Sequence, residues 1–237
     1  MRRRNRRLRQ KRLRIAMIIL LTVLVIVATF MFISKLVVTK TKATAKNITT
    51  ESTSKENDWK LILVNRDNYI PEDHTVELIR LSNGESVDAR IYPELQEMFD
   101  AARSEGLNLL VVAGYRTEDE QQQLLVQKNE EYIHQGYSRT EAKELAEKWV
   151  AIPGTSEHQL GIAVDINADT TISSSDTVYS WLANNGHKYG FIKRYPENKT
   201  AITGVINEPW HYRYVGKEAA SEIYSKGFCL EEYLGKK

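Results

Sequence analysis

A histidine and an aspartate seven residues apart are the first residues in this chain with the types and spacing to do chemistry. They are His158 and Asp165, in the stretch Ser156-Glu157-His158-Gln159-Leu160-Gly161-Ile162-Ala163-Val164-Asp165. An imidazole nitrogen and a carboxylate oxygen are both common zinc ligands. The stretch follows Pro153-Gly154 and ends on an apolar run of strand character, and Gly161 permits the turn that would bring its two ends together. A second group, Glu208-Pro209-Trp210-His211, adds a third protein ligand in His211 and leaves a fourth metal position for water. Glu208, three residues earlier, is placed to take a proton from water that a metal has acidified. In a third group, Gly114-Tyr115-Arg116-Thr117 with Gln121, Arg116 follows a short apolar run. A guanidinium at such a strand end can clamp a carboxylate through two hydrogen bonds. Each group taken singly has an ordinary counterpart: an aspartate capping backbone amides, a histidine packed among aromatics, a surface salt bridge.

Taken together, the three groups resemble the metallo-type D-alanyl-D-alanine carboxypeptidases, including the vancomycin-resistance carboxypeptidases and the L,D-carboxypeptidases of peptidoglycan maturation. The pattern S-x-H-x-x-G-x-A-x-D is met from Ser156 to Asp165, E-x-x-H at Glu208 and His211, and G-Y-R at Gly114 to Arg116, in that family's order. The resemblance runs from about Arg90 to Gly227. It implies Zn2+ held by His158, Asp165 and His211, with Glu208 as general base. It also implies that Arg116 receives the terminal carboxylate of a peptidoglycan stem peptide, and that Gln121, Ser156 and Tyr195 line the same pocket. An arginine in that role enforces cleavage at a chain end. The bond cut, D-Ala-D-Ala or a single D-Ala after an L-centre, stays open at this point.

Three other readings compete, one of them a wall endopeptidase, which would cut substrates with blocked carboxyl ends and against which Arg116 argues. A serine peptidase acting on the same substrate needs S-x-x-K with a K-T-G element. The S-x-x-K match here is Ser52 to Lys55, in a polar stretch, and K-T-G is absent. A wall-binding or signalling module would keep the zinc fold without catalysis, as hedgehog signalling domains do, but here Glu208 stands beside a complete ligand set. His74, His134 and His187 fall outside every motif and read as surface residues.

The elements that must position these groups follow from patterning. Short strands are expected at 60–64 and 75–79, where β-branched and apolar residues alternate with polar ones. Pro93 opens a helix with Leu95, Met98, Phe99 and Ala102 at helical spacing, ending at Gly106. Leu109 to Ala113 reads as a buried strand. Thr117 with Glu120 makes a capping box for a helix reaching about His134. A helix from Thr140 to Val150 stops at Pro153-Gly154, one from Asp176 to Ala183 ends at Asn185-Gly186, and another covers Lys217 to Ser225. Strands at Ile162–Ile166 and Trp210–Val215 carry the candidate ligands. The expected fold is α+β, a single domain with a mostly antiparallel sheet flanked by helices, as in the hedgehog and D,D-peptidase group.

The amino-terminal fifth is of another kind. Residues 1–14 carry nine Arg and Lys and no acid, and residues 15–33 are a run of 19 without a charge, Pro or Gly. A helix rising about 1.5 Å per residue would carry that run across a hydrocarbon core of about 30 Å. The basic cluster keeps its end cytoplasmic, so the remainder should lie outside, facing the cell wall. Ala43-Thr44-Ala45 resembles a cleavage site but lies beyond three lysines, and the run exceeds the apolar region of a signal peptide, so an uncleaved single-pass anchor is expected. Residues 34–58, polar and rich in Thr, Ser, Lys and Asn, read as a stalk, and 59–237 as the catalytic domain. Residues 34–237 hold the remaining 24 Lys and Arg against all 31 acids, a net charge of −7, which argues against a nucleic-acid partner. With one cysteine, Cys229, no internal disulfide can brace the domain.

Overall fold

A computed structural model describes residues 59–236. The basic tail, the apolar run and the stalk lie outside the described residues, and among those described no helix is long and apolar enough to cross a membrane.

Strands β1 (Leu78–Arg80) and β2 (Ser86–Asp88) form an antiparallel hairpin. Helix α1 (Tyr92–Ser104) has Pro93 in its first turn and buries Leu95, Met98 and Ala102. Strand β3 (Leu109–Ala113) follows, then α2 (Glu118–His134) and α3 (Arg139–Trp149), each opened by a capping box: Thr117 with Glu120, and Ser138 with Glu141. Strand β4 (Ala163–Ala168), helix α4 (Ser175–Asn185), strand β5 (Phe191–Lys193), the short α5 (Thr200–Thr203), strand β6 (His211–Tyr214), α6 (Lys217–Lys226) and α7 (Leu230–Leu234) complete the order. The main sheet runs β3-β4-β6-β5, antiparallel at every pair. The expected α+β class is therefore found.

Alternation along β4 and β6 divides this sheet into a core face and a site face. Val164, Ile166, Tyr212 and Tyr214 join Leu95 and Met98 of α1 and Val178, Trp181 and Leu182 of α4 in one buried cluster. Asp165 and His211 point the other way. A second cluster holds α6 and α7, through Ala220, Ile223 and Leu230, against Leu61 and Leu63.

Some expected elements differ. Residues 60–64 form no strand: Trp59–Leu61 is a 3-10 turn, and the carbonyls of Lys60 and Ile62 accept hydrogen bonds from Arg213 Nη2 at 3.0 and 2.8 Å. A buried guanidinium thus takes the place of a neighbouring strand. The ladder expected at 75–79 begins only at Leu78 and pairs with Ser86–Asp88, which patterning does not mark. The three-residue β5, at the sheet edge, is likewise unmarked. Helix α4 does end at Asn185, but Gly186 has helical φ (−52°), and the left-handed residue comes at Gly190 (φ +88°), after a further 3-10 turn.

Candidate functional site

His158 lies in a 3-10 turn, Glu157–Leu160, which closes on Gly161 in the left-handed region (φ +74°) before the chain enters β4. The turn expected of Gly161 is thus present. Gly161 also sits tightly against the hairpin, since an added Cβ would lie 2.8 Å from Val76 Cγ2, and its carbonyl accepts from the amide of Asp88 at 2.8 Å. Asp165 and His211 then meet as direct partners in the β4–β6 register.

The three candidate ligands offer donor atoms that all lie within 4.8 Å of one another. Asp165 Oδ1 is 3.0 Å from His211 Nδ1 and 3.5 Å from His158 Nε2. His158 Nδ1 lies 2.7 Å from the carbonyl oxygen of Gly114, which can only accept, so that nitrogen carries the proton and Nε2 keeps a lone pair. Asp165 Oδ1 is buried and has no hydrogen-bond partner. His158 Nε2 and His211 Nδ1 thus converge on one carboxylate oxygen across a buried space, an arrangement that a cation resolves. The electrostatics agree. Burial works to lower the basicity of His211, yet its contacts with Asp165 and Glu157 outweigh this and push its pKa up to about 10, so the cluster captures a positive charge. Two nitrogens and one hard oxygen, with room for a fourth ligand, fit zinc.

Glu208 stands at the edge of this triad. It is 8% exposed, and its Oε2 lies 3.7 Å from His211 Nδ1. Burial, reinforced by the charges of Asp165 and Glu157 and opposed by His211, raises its pKa to about 7. A base with that value is half ionised at neutral pH, the balance general acid–base catalysis favours.

Arg116 and the triad line a single cleft of about 210 Å³, together with Ser156, Tyr195 and Glu208. Gly114 explains how the arginine arrives there. An added Cβ would come 2.2 Å from the carbonyl oxygen of Ser86, so only glycine lets β3 leave the sheet so close to the hairpin. The amide of Gly114 donates to Glu85 Oε2 at 2.9 Å and that of Arg116 to the carbonyl of His158 at 3.2 Å. Residues before 90, to which no sequence motif assigns a part, therefore brace both the arginine loop and the metal turn.

Gln121 lines the cleft, as expected, and is also tied into the protein. Its Oε1 accepts from Arg116 Nη1 at 2.8 Å and its Nε2 donates to the carbonyl of Ala151 at 2.7 Å. Through these two bonds it tethers the guanidinium from within the cleft. Ser156 is buried at the start of the metal turn and its hydroxyl caps no backbone amide. The ring of Tyr195 packs 4.9 Å from that of His211, and burial drives its phenol toward staying protonated.

No motif gives a role to the charges beneath the site. Glu157, Arg194, Arg213 and Glu231 are all buried. Glu157 Oε1 accepts from Arg194 Nε and Arg213 Nη1, each at 2.8 Å, and Arg194 continues to Glu231. Burial alone would raise the Glu157 pKa, but the two guanidiniums hold it well below the usual carboxylate range. Residues from four separate segments meet here, which no spacing rule reveals.

An antiparallel sheet that brings two imidazoles and a carboxylate together, with a buried glutamate and an arginine in the same cleft, defines a metal-dependent hydrolase. Comparison with known proteins narrows this. The family model described as VanY, D-alanyl-D-alanine carboxypeptidase, matches residues 84–217. A D-alanyl-D-alanine carboxypeptidase of Enterococcus faecalis is 59% identical over 179 residues, covering 76% of this chain and 67% of that one. The solved structure of a mutant vancomycin-resistance D,D-pentapeptidase VanY in complex with Zn(II) is 59% identical, with a TM-score of 0.73 over 75% of this chain and 99% of the other. That of VanYB in complex with D-alanine-D-alanine is 58% identical, with a TM-score of 0.74 over 76% and 99%. The chain belongs to the VanY family of D-alanyl-D-alanine carboxypeptidases.

Proposed function

We propose that this chain is a zinc carboxypeptidase that releases the terminal D-alanine from peptidoglycan stem peptides ending in D-Ala-D-Ala. The observation that carries the reading is the sharing of one cleft by Arg116 and the triad His158, Asp165 and His211. The 59% identity to a D-alanyl-D-alanine carboxypeptidase supports the D,D bond over the L,D alternative.

Arg116, held by Gln121, pairs with the free carboxylate of the substrate and so sets the last peptide bond over the triad. Zinc held by the triad supplies Lewis-acid polarisation of the carbonyl and acidification of water. Glu208 accepts the proton of the attacking water on its carboxylate and delivers it to the amide nitrogen, which leaves as the amine of D-alanine. Ser156 offers its hydroxyl to the peptide backbone. Tyr195, a neutral phenol beside His211, walls the far side of the reacting carbonyl. The decisive experiment is mass spectrometry of products from defined penta- and tetrapeptide stems. Loss of one alanine from the pentapeptide alone is the expected result. Cleavage of the tetrapeptide alone, or of stems with blocked carboxyl ends, would overturn the reading.

The run 15–33 and the nine basic residues before it support a single membrane anchor with a cytoplasmic tail, a stalk over 34–58 and the catalytic domain over 59–237 on the wall side. Protease added to intact protoplasts should remove the domain and leave the tail protected. A domain resistant until lysis would refute this topology.

A further inference from the structure

Glu157 is buried beside the triad and takes no part in the chemistry above. Its Oε1 is occupied by Arg194 and Arg213. Its Oε2 has no hydrogen-bond partner and lies 3.5 Å from His211 Nε2, a buried nitrogen that also has none. A neutral imidazole carries one N–H and one lone pair, while a carboxylate between two guanidiniums is an acceptor only. Asp165 Oδ1, 3.0 Å from Nδ1, is an acceptor too, but a metal held by Asp165 and His211 together takes the Nδ1 lone pair, so in the zinc-loaded protein the N–H sits on Nε2, aimed at Glu157. We infer that Glu157 is a positioning residue that selects the metal-ligating tautomer of His211. The inference rests on the zinc reading above.

The two histidines then present opposite nitrogens to the metal, each fixed by its own acceptor. The carbonyl of Gly114 takes the Nδ1 proton of His158, leaving Nε2 to ligate, whereas Glu157 takes the Nε2 proton of His211, leaving Nδ1. A backbone carbonyl cannot be lost by mutation, but a side-chain carboxylate can. The arginines serve this purpose too. With Oε1 held from two sides, the group cannot rotate Oε2 away from the ring, and Arg194 is itself held by both oxygens of Glu231 on α7. Partners of this kind contribute about 10–100-fold to metal affinity or activity.

Glu157→Gln keeps the shape. Its oxygen must stay on the arginines, so its NH2 faces Nε2, where it opposes an N–H and favours the wrong tautomer. Zinc affinity, measured by competition with a chromophoric chelator, should fall about 10–100-fold, and the cobalt(II)-substituted protein should show an altered visible spectrum. Glu231→Gln weakens the same ionic network without reaching His211. It should lower the melting temperature of the metal-free protein and leave zinc affinity far closer to wild type than Glu157→Gln does. Wild-type affinity in Glu157→Gln, or an equal loss in Glu231→Gln, would overturn the inference. Should Glu157→Gln fail to fold, nitrogen-15 NMR of the zinc-loaded wild type decides directly: a proton on His211 Nε2 supports the inference and one on Nδ1 sinks it. A wild type that binds no zinc would instead defeat the zinc reading on which all of this stands.

Discussion

Asp165 and His211 are direct partners across the β4–β6 ladder, and Oδ1 of one lies 3.0 Å from Nδ1 of the other. Two of the three candidate ligands are thus joined by backbone register, in which side chains of paired residues share a face. A slip of one residue would turn one of them into the core. The third, His158, comes from a turn, and its place depends on Gly161.

Gly161→Ala should therefore damage both fold and site. A left-handed φ costs a residue with a Cβ about 1–2 kcal/mol, and that atom would lie 2.8 Å from Val76 Cγ2. Urea denaturation should show a loss of at least that size, with weaker zinc binding in the folded fraction. Unchanged affinity would mean that the turn is not what sets the distance from His158 to Asp165.

Removal of the metal should abolish D-alanine release, and zinc should restore it. Zinc should also raise the melting temperature, because a ligand at 100 times its dissociation constant adds about 2.7 kcal/mol to stability. A chelated protein with full turnover would refute the metal assignment.

Glu208→Ala should retain zinc by elemental content and lose about 10²–10⁴-fold in kcat, the usual contribution of a general base. Turnover at the wild-type rate would remove Glu208 from its role.

The raised pKa of Glu208 has a thermodynamic signature in the metal-free protein. Its folded value is about 7 against a reference of 4.5, so between those pH values the folded state keeps a proton that the unfolded state has released. Stability therefore falls as pH rises through that window and stays lower above it. Glu208→Gln lacks this penalty. In urea titrations at pH 4 and pH 8 it should gain on the wild type at the higher pH, by an amount on the order of 2–3 kcal/mol. A difference independent of pH would contradict the buried, destabilised carboxylate.

Arg116→Ala should lower kcat/KM by about 10–100-fold, the worth of one charge-assisted hydrogen-bonded contact, mainly through KM. Gln121→Ala should act in the same direction and more weakly, since it reaches the substrate only through Arg116. Comparison of free and amidated peptides checks both, because neither variant should distinguish the two as the wild type does.

The residues that meet a motif are legible in the amino-acid sequence alone, because their chemistry is local: a ligand, a base and a carboxylate clamp are recognisable by type and by short spacing. The same holds for α1 to α3, whose proline, capping boxes and apolar spacing act within a few turns. The short ladders are not legible in this way. β2 and β5 have three residues each, too few for alternation to register, and what would have been a strand at 60–64 surrenders its carbonyls to Arg213, a residue more than 150 positions away. Gln121 lines the cleft as its type and place suggest, but only the folded chain shows its amide joining Arg116 to the carbonyl of Ala151. Glu157 shows the division most clearly. Its place beside His158 is written in the sequence, but its partners arrive only when the sheet closes, Arg194 just after β5 and Arg213 and His211 on β6. A buried carboxylate takes its meaning from the charges that folding brings to it.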